Sequence, residues 1–145
     1  MAGVLALASP LRWWRFARLE AGQRQLLVEA AARLAVAALR VRLLSFERSI
    51  RSGALPLKPF RTCDSKAIAR AVRCAATVAP FRAVCLQEGL ACQAMLRARG
   101  LDARLRYGAA VGEMLEAHVW VTVEEQIVIG QEEAARFQPV ACFPA

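Results

Sequence analysis

Apolar positions recur at intervals of three and four through the first half of the chain, and at intervals of two through much of the second. From about Gln23 to Arg51, the residues Leu27, Ala30, Leu34, Ala38 and Val41 trace one stripe, as a helix with a single buried face would. Its start is poorly capped, because Leu19-Glu20-Ala21-Gly22 offers no Ser, Thr or Asp. Gly53, Pro56 and Pro59 break the pattern, and residues 52–62 read as a linker inside one domain. Asp64 or Ser65 is placed to cap a second helix running to about Ala76. A third helix spans about Val84 to Arg99, with Leu86, Leu90, Ala94 and Met95 inward and Gly100 as its stop.

After Gly100 the period changes. Leu101, Ala103, Leu105 and Tyr107 alternate with Asp102, Arg104 and Arg106, which predicts a strand. Residues 116–123 alternate again. Glu116, His118, Trp120 and Thr122 share one face, and Ala117, Val119, Val121 and Val123 the other. Gln126 to Ile129 is a third short strand. Helices followed by a run of strands predict an α+β fold. Near the start, Arg12, Arg15 and Arg18 interleave with Trp13, Trp14 and Phe16. Such a segment either packs its rings on the body or stacks on nucleic-acid bases.

Length and composition narrow the picture. The chain has 145 residues, enough for one domain (1–145) with a core of its own, and its 57% apolar and 22% charged content excludes disorder. The net charge of +8 is uneven: residues 1–75 hold 14 basic and 4 acidic side chains, residues 76–145 hold 6 and 8. That asymmetry divides the domain into a basic helical part, 1–79, and a part, 80–145, built of the third helix and the sheet. A basic surface suits nucleic acid, or an acidic peptide or partner. Five cysteines without CxxC spacing and a single histidine argue against a disulfide framework and a structural zinc site. No metal or organic cofactor is implied. The most apolar window, Leu26 to Leu44, carries Glu29, Arg33, Arg40 and Arg42, which argues against a membrane span. Met1 to Pro10 lacks the basic start of a signal peptide, so the expectation is a cytoplasmic protein with reduced thiols.

Two residues could do chemistry together. Cys85 sits where the third helix begins, and a helix N-terminus favours the thiolate and offers free N–H groups to an oxyanion. His118, in the middle of a strand, could complete an activated Cys–His pair. A third group usually orients the imidazole. If the hairpin turn is centred on Glu124-Glu125, paired residue numbers sum to 249 and His118 faces Gln131. A slip of one places Gly130 or Glu132 there, and Glu116 is a same-face alternative. Cys92, seven residues beyond Cys85, reads as packing, as do Cys63, Cys74 and Cys142. Trp120 is either a packing residue or a substrate contact.

The blocks Cys85-Leu86-Gln87-Glu88-Gly89-Leu90-Ala91, Met95-Leu96-Arg97-Ala98-Arg99-Gly100, Ala103-Arg104-Leu105-Arg106-Tyr107-Gly108 and Ala117-His118-Val119-Trp120-Val121 resemble the transglutaminase-like maturation protease of lasso-peptide biosynthesis. The ending Val128-Ile129-Gly130-Gln131 then Phe137-Gln138-Pro139-Val140 also fits, as does the opening Gln25-Leu26-Leu27-Val28-Glu29-Ala30. The resemblance implies a papain-like α+β core: a helix carrying Cys85, packed on a small antiparallel sheet carrying His118. It implies a cysteine peptidase that removes the leader from a ribosomally made precursor peptide. A small leader-recognition protein would deliver the precursor, and a separate ATP-dependent lactam synthetase would close the freed core. The chain resembles the stand-alone form of the protease. That family expects Cys, His and Asp, with Asp on the strand after His. Here no Asp follows Asp102, and Gln131 stands as the candidate third member. On this reading Arg33 and Arg40 of the basic part hold the precursor or its delivery protein, with no nucleic acid involved.

Overall fold

A computed structural model of the chain describes residues 10–53, 56–59, 61–112 and 114–144. The side chains of Arg12 and Trp13, part of the Arg and aromatic segment, lie outside the described residues. That segment forms helix α1 (Pro10–Ala17). Within it Trp14 stays half exposed and is covered by the Arg18 guanidinium, 3.7 Å from the ring centroid.

Helix α2 (Ala21–Leu43) buries the expected stripe: Ala30, Leu34 and Ala38 are buried, Leu27 and Val41 half-buried. Its start has no side-chain cap. The single helix expected to reach Arg51 is two helices. Leu44 adopts an extended backbone, and a new helix, α3 (Phe46–Gly53), begins at once. Ser45 supplies the first acceptor of that turn, its carbonyl 2.9 Å from the Ser49 amide. The break needs neither Gly nor Pro, which is why spacing alone runs through it. Helix α4 (Ser65–Val78) starts at Asp64, whose carboxylate accepts from the Lys66 amide at 2.9 Å.

Helix α5 (Cys85–Arg97) is the axis of the molecule: almost every residue from Gln87 onward is buried. One side of it meets α2 and α4 through Cys92, Met95, Leu96, Leu34, Ile68 and Val72. The other side lies on a four-stranded antiparallel sheet. The strands are β1 (Arg104–Val111), β2 (Leu115–Val123), β3 (Gln126–Ile129) and β4 (Gln138–Phe143), in the order β3-β2-β1-β4. Gly89 lets helix and sheet approach closely: a Cβ there would lie 2.9 Å from Val119 Cγ1. Strand β4, absent from the expected set, pairs with β1 as an edge strand, where Pro139 is tolerated. A short helix, α6 (Gln131–Ala134), joins β3 to β4. Among the described residues no helix is long and apolar enough to cross a membrane.

Candidate active site

Cys85 occupies the first position of α5, directly after the extended Val84. The Gln87 and Glu88 amides both point at the Val84 carbonyl, at 2.9 and 3.2 Å, and the Val84 amide donates to Gln87 Oε1 at 3.2 Å. The Cys85 and Leu86 amides are left without a hydrogen-bond partner among the described residues, as helix geometry requires of a first turn. Cys85 is half-buried and packs against the apolar cluster of Leu90, Leu105 and Val119. The other thiols differ. Cys92 is fully buried, and desolvation pushes its pKa up to about 12, so it stays a neutral packing group. Burial also raises the Cys63 thiol, with nearby Arg99 opposing. Cys74 is exposed on α4, and the half-buried Cys142 thiol lies 3.9 Å from the Pro144 carbonyl.

His118 is 8% exposed. Strand alternation turns it, with Trp120, toward α6 and Phe137, whereas Val119 and Val121 face α5. The imidazole lies 5.2 Å from the Phe137 ring and 6.1 Å from Trp120. Its Nε2 is 3.0 Å from the carbonyl of Gly130. A carbonyl only accepts, so Nε2 carries the proton in that bond. Nδ1 faces Glu133 Oε2 at 3.9 Å, within ion-pair range but beyond a hydrogen bond. Among the described residues no hydrogen bond joins Cys85 to His118.

The hairpin explains this arrangement and corrects the expected pairing. Its turn is centred on Glu124-Glu125, both with positive φ (48° and 64°). That is the backbone of a two-residue hairpin turn. Val123 faces Gln126 and Thr122 faces Ile127, as the sum of 249 requires. A bulge then shifts the register, so that Val121 faces Ile129, and β3 ends there. Gly130 takes a left-handed turn at φ 86° into α6, and no β3 residue lies opposite His118. Gln131 therefore opens a helical turn. It is exposed, and its amide makes no hydrogen bond among the described residues. The carbonyl of the residue before it is what holds the imidazole.

The two carboxylate alternatives have other partners. Glu132 pairs with Arg73 at 2.7 Å, and Glu116 with Arg136 at 3.1 Å. Glu132 is held below the usual glutamate range by main-chain and Arg73 hydrogen bonds. Glu133 was missed because no strand register reaches it. The signal was there: a glycine followed by Gln-Glu-Glu-Ala is a left-handed turn opening a helical one. Trp120 is 4% exposed, packs against Ala134 and Phe137 and offers no open face to a ligand. Arg40 Nη1 donates to the Ser52 carbonyl at 3.2 Å, which fastens α3 to α2. Arg33 is half-buried beside a groove and has no ion partner among the described residues.

A cleft of about 420 Å³ opens at Gly130, lined by Arg73, Thr77, Glu88, Ile129, Gly130 and Glu132, with neither Cys85 nor His118 in its described lining. Gly130 thus borders the cleft and holds His118. Desolvation raises Glu88 above the usual glutamate range, against the pull of Arg73. No group of three or more metal-ligating side chains is gathered among the described residues.

Compared with known protein families, residues 25–142 match the Transglutaminase-like superfamily. No curated protein and no solved structure matches the chain. The matched stretch runs from the second helix to the last strand and takes in the cysteine-bearing helix and the histidine-bearing hairpin, so the chain belongs to the Transglutaminase-like superfamily.

Proposed function

We propose that the protein is a cysteine peptidase that cleaves the leader from a ribosomally made lasso-peptide precursor. The observation that carries the reading is the place of Cys85, first residue of α5, beside two amides that nothing else among the described residues engages. Cys85 Sγ attacks the carbonyl carbon of the scissile peptide, and the thiol proton passes to His118 Nδ1. The Cys85 and Leu86 amides hold the oxyanion. The tetrahedral adduct collapses with cleavage of the C–N bond, and the imidazolium protonates the departing amine. Water then attacks the thioester, its proton going to His118, and the thiolate leaves. The Gly130 carbonyl fixes Nε2–H throughout, which leaves Nδ1 as the nitrogen that exchanges protons. The imidazole lies on the sheet face turned to α6 and the thiol on the face turned to α5, so this reading requires the histidine-bearing strand and the start of α5 to rearrange when substrate enters. A leader-recognition protein delivers the precursor, and an ATP-dependent lactam synthetase uses the product.

A second reading has its own observation. The histidine packs against Phe137 and Trp120 rather than bonding to the cysteine, which favours an inert scaffold that holds the precursor. Incubation with a synthetic precursor, with and without a leader-recognition partner, separates the two. A peptidase releases the leader, and Cys85→Ala abolishes release while the fold persists by circular dichroism. Release at the wild-type rate by Cys85→Ala would sink the catalytic reading. Binding without release in the wild type selects the scaffold.

A further inference from the structure

A second opening lies at the far end of α5. It is a groove of about 770 Å³ between α2, the segment around residues 58–62 and the end of α5, lined by Gln25, Glu29, Arg33, Lys58, Arg61 and Arg99. Its walls are fixed. The Lys58 amide donates to the Arg97 carbonyl at 3.3 Å and the Arg61 amide to the Arg99 carbonyl at 2.9 Å. The one carboxylate among the described lining residues is already neutralised: Glu29 takes both Arg99 Nη1 and Nη2, at 3.2 and 2.6 Å. Arg33, Lys58 and Arg61 have no ion partner among the described residues. Three like charges along one groove repel each other until a counter-charge enters. Among the described lining residues none is aromatic, and the charge of the lining is what marks it.

We infer that this groove is an exosite for an acidic segment of the peptide substrate, held by Arg33, Lys58 and Arg61. The inference rests on the peptidase reading for the word substrate, but not for the binding. A 13-residue helix separates the groove from Cys85, about 20 Å at the usual rise per residue. An extended peptide covers that span in about six residues. The acidic segment therefore lies at least about six residues from the bond that is cut. Arg40, bonded to Ser52, takes no part.

Calorimetry on the Cys85→Ala chain tests the binding without turnover. Three probes are needed: a capped octapeptide of alternating Glu and Gly, its Gln-Gly counterpart, and an eight-nucleotide oligothymidine. The Glu-Gly peptide should bind, the Gln-Gly peptide should not, and added salt should weaken binding. Lys58→Gln with Arg61→Gln, both at exposed positions, should weaken it about ten-fold, and Arg33→Glu added to these should abolish it. An unchanged melting curve for the double variant excludes misfolding as the cause. Equal affinity for the Glu-Gly and Gln-Gly peptides, equal binding by the double variant, or binding of the oligothymidine alone would each overturn the exosite. A precursor assay reads the other hypothesis separately. The double variant should raise KM and leave kcat unchanged. Binding without any cleavage by the wild-type chain overturns the peptidase reading and leaves the groove standing.

Discussion

At the scale of single residues, the histidine is defined by two neighbours that differ in kind. A main-chain carbonyl holds Nε2, and a carboxylate, Glu133, faces Nδ1 from 3.9 Å. On the peptidase reading, that carboxylate lies within ion-pair range of the ring nitrogen that takes the thiol proton. Glu133→Gln keeps the shape and removes the charge. It should lower kcat about ten-fold, or about 1.4 kcal/mol of barrier, with little change in KM. Gln131→Ala should change neither, because that exposed amide has no hydrogen-bond partner among the described residues. Steady-state kinetics on a synthetic precursor decide the matter. A silent Glu133→Gln beside a crippled Gln131→Ala would reverse the roles.

At the scale of elements, the corner between β3 and α6 sets the histidine. Gly130 turns left-handed there, and a Cβ would lie 2.8 Å from Trp120 Cβ and 2.9 Å from the Val119 carbonyl. Gly130→Ala should cost about 1–3 kcal/mol of stability by urea unfolding, since both the dihedral and the space are wrong. The same corner is fastened to α4 by Arg73 and Glu132. Glu132 has a lowered carboxyl pKa in the fold, so its stabilising effect is present above the ordinary value of 4.5 and fades as pH falls through the lowered one. Wild type should therefore melt above Glu132→Gln at pH 7 and converge with it toward pH 3. A gap that persists in acid would mean that the carboxylate's charge is irrelevant. This corner was also the hardest part to read from sequence. The period-two pattern of β1 and β2 is legible in the alternation of residue types, although β2 is buried on both faces from His118 to Thr122. The bulge at Val121, the four-residue α6 and the edge strand β4 with its proline leave no periodic trace. The cysteine and the histidine were legible, one as a helix start and the other as a strand position. The histidine's partners were not, because a turn rather than a ladder brings them in.

At the scale of the whole molecule, α5 separates the thiol end from the basic groove and binds the layers together. Gln93, fully buried on α5, donates to the Ala103 carbonyl at 3.2 Å and the Phe143 carbonyl at 2.8 Å. One amide thus joins the lead-in to β1 and the last residue of β4 to the central helix. Gln93→Leu should remove about 1–3 kcal/mol by leaving the Phe143 carbonyl unpaired. The urea midpoint should fall with the slope unchanged, as for a loss confined to the folded state. An unaltered midpoint would show that the C-terminal strand is held by its ladder alone. The uneven charge of the chain also gains a physical meaning at this scale. Arg33, Lys58 and Arg61, without an ion partner among the described residues, gather at the end of α5 away from the thiol, while Glu132 and Glu133 cluster near the histidine.

The bond from Gly130 to His118 has a consequence for heredity. A task carried by a peptide carbonyl is passed on through the path of the chain, not through the identity of a side chain. No codon change at position 131 deletes that oxygen, and only a change that reshapes the turn moves it. A scan of substitutions along this stretch would record tolerance at 131 and intolerance at the glycine before it. The apparent demand for glycine would, in chemical terms, be a demand for where its oxygen points.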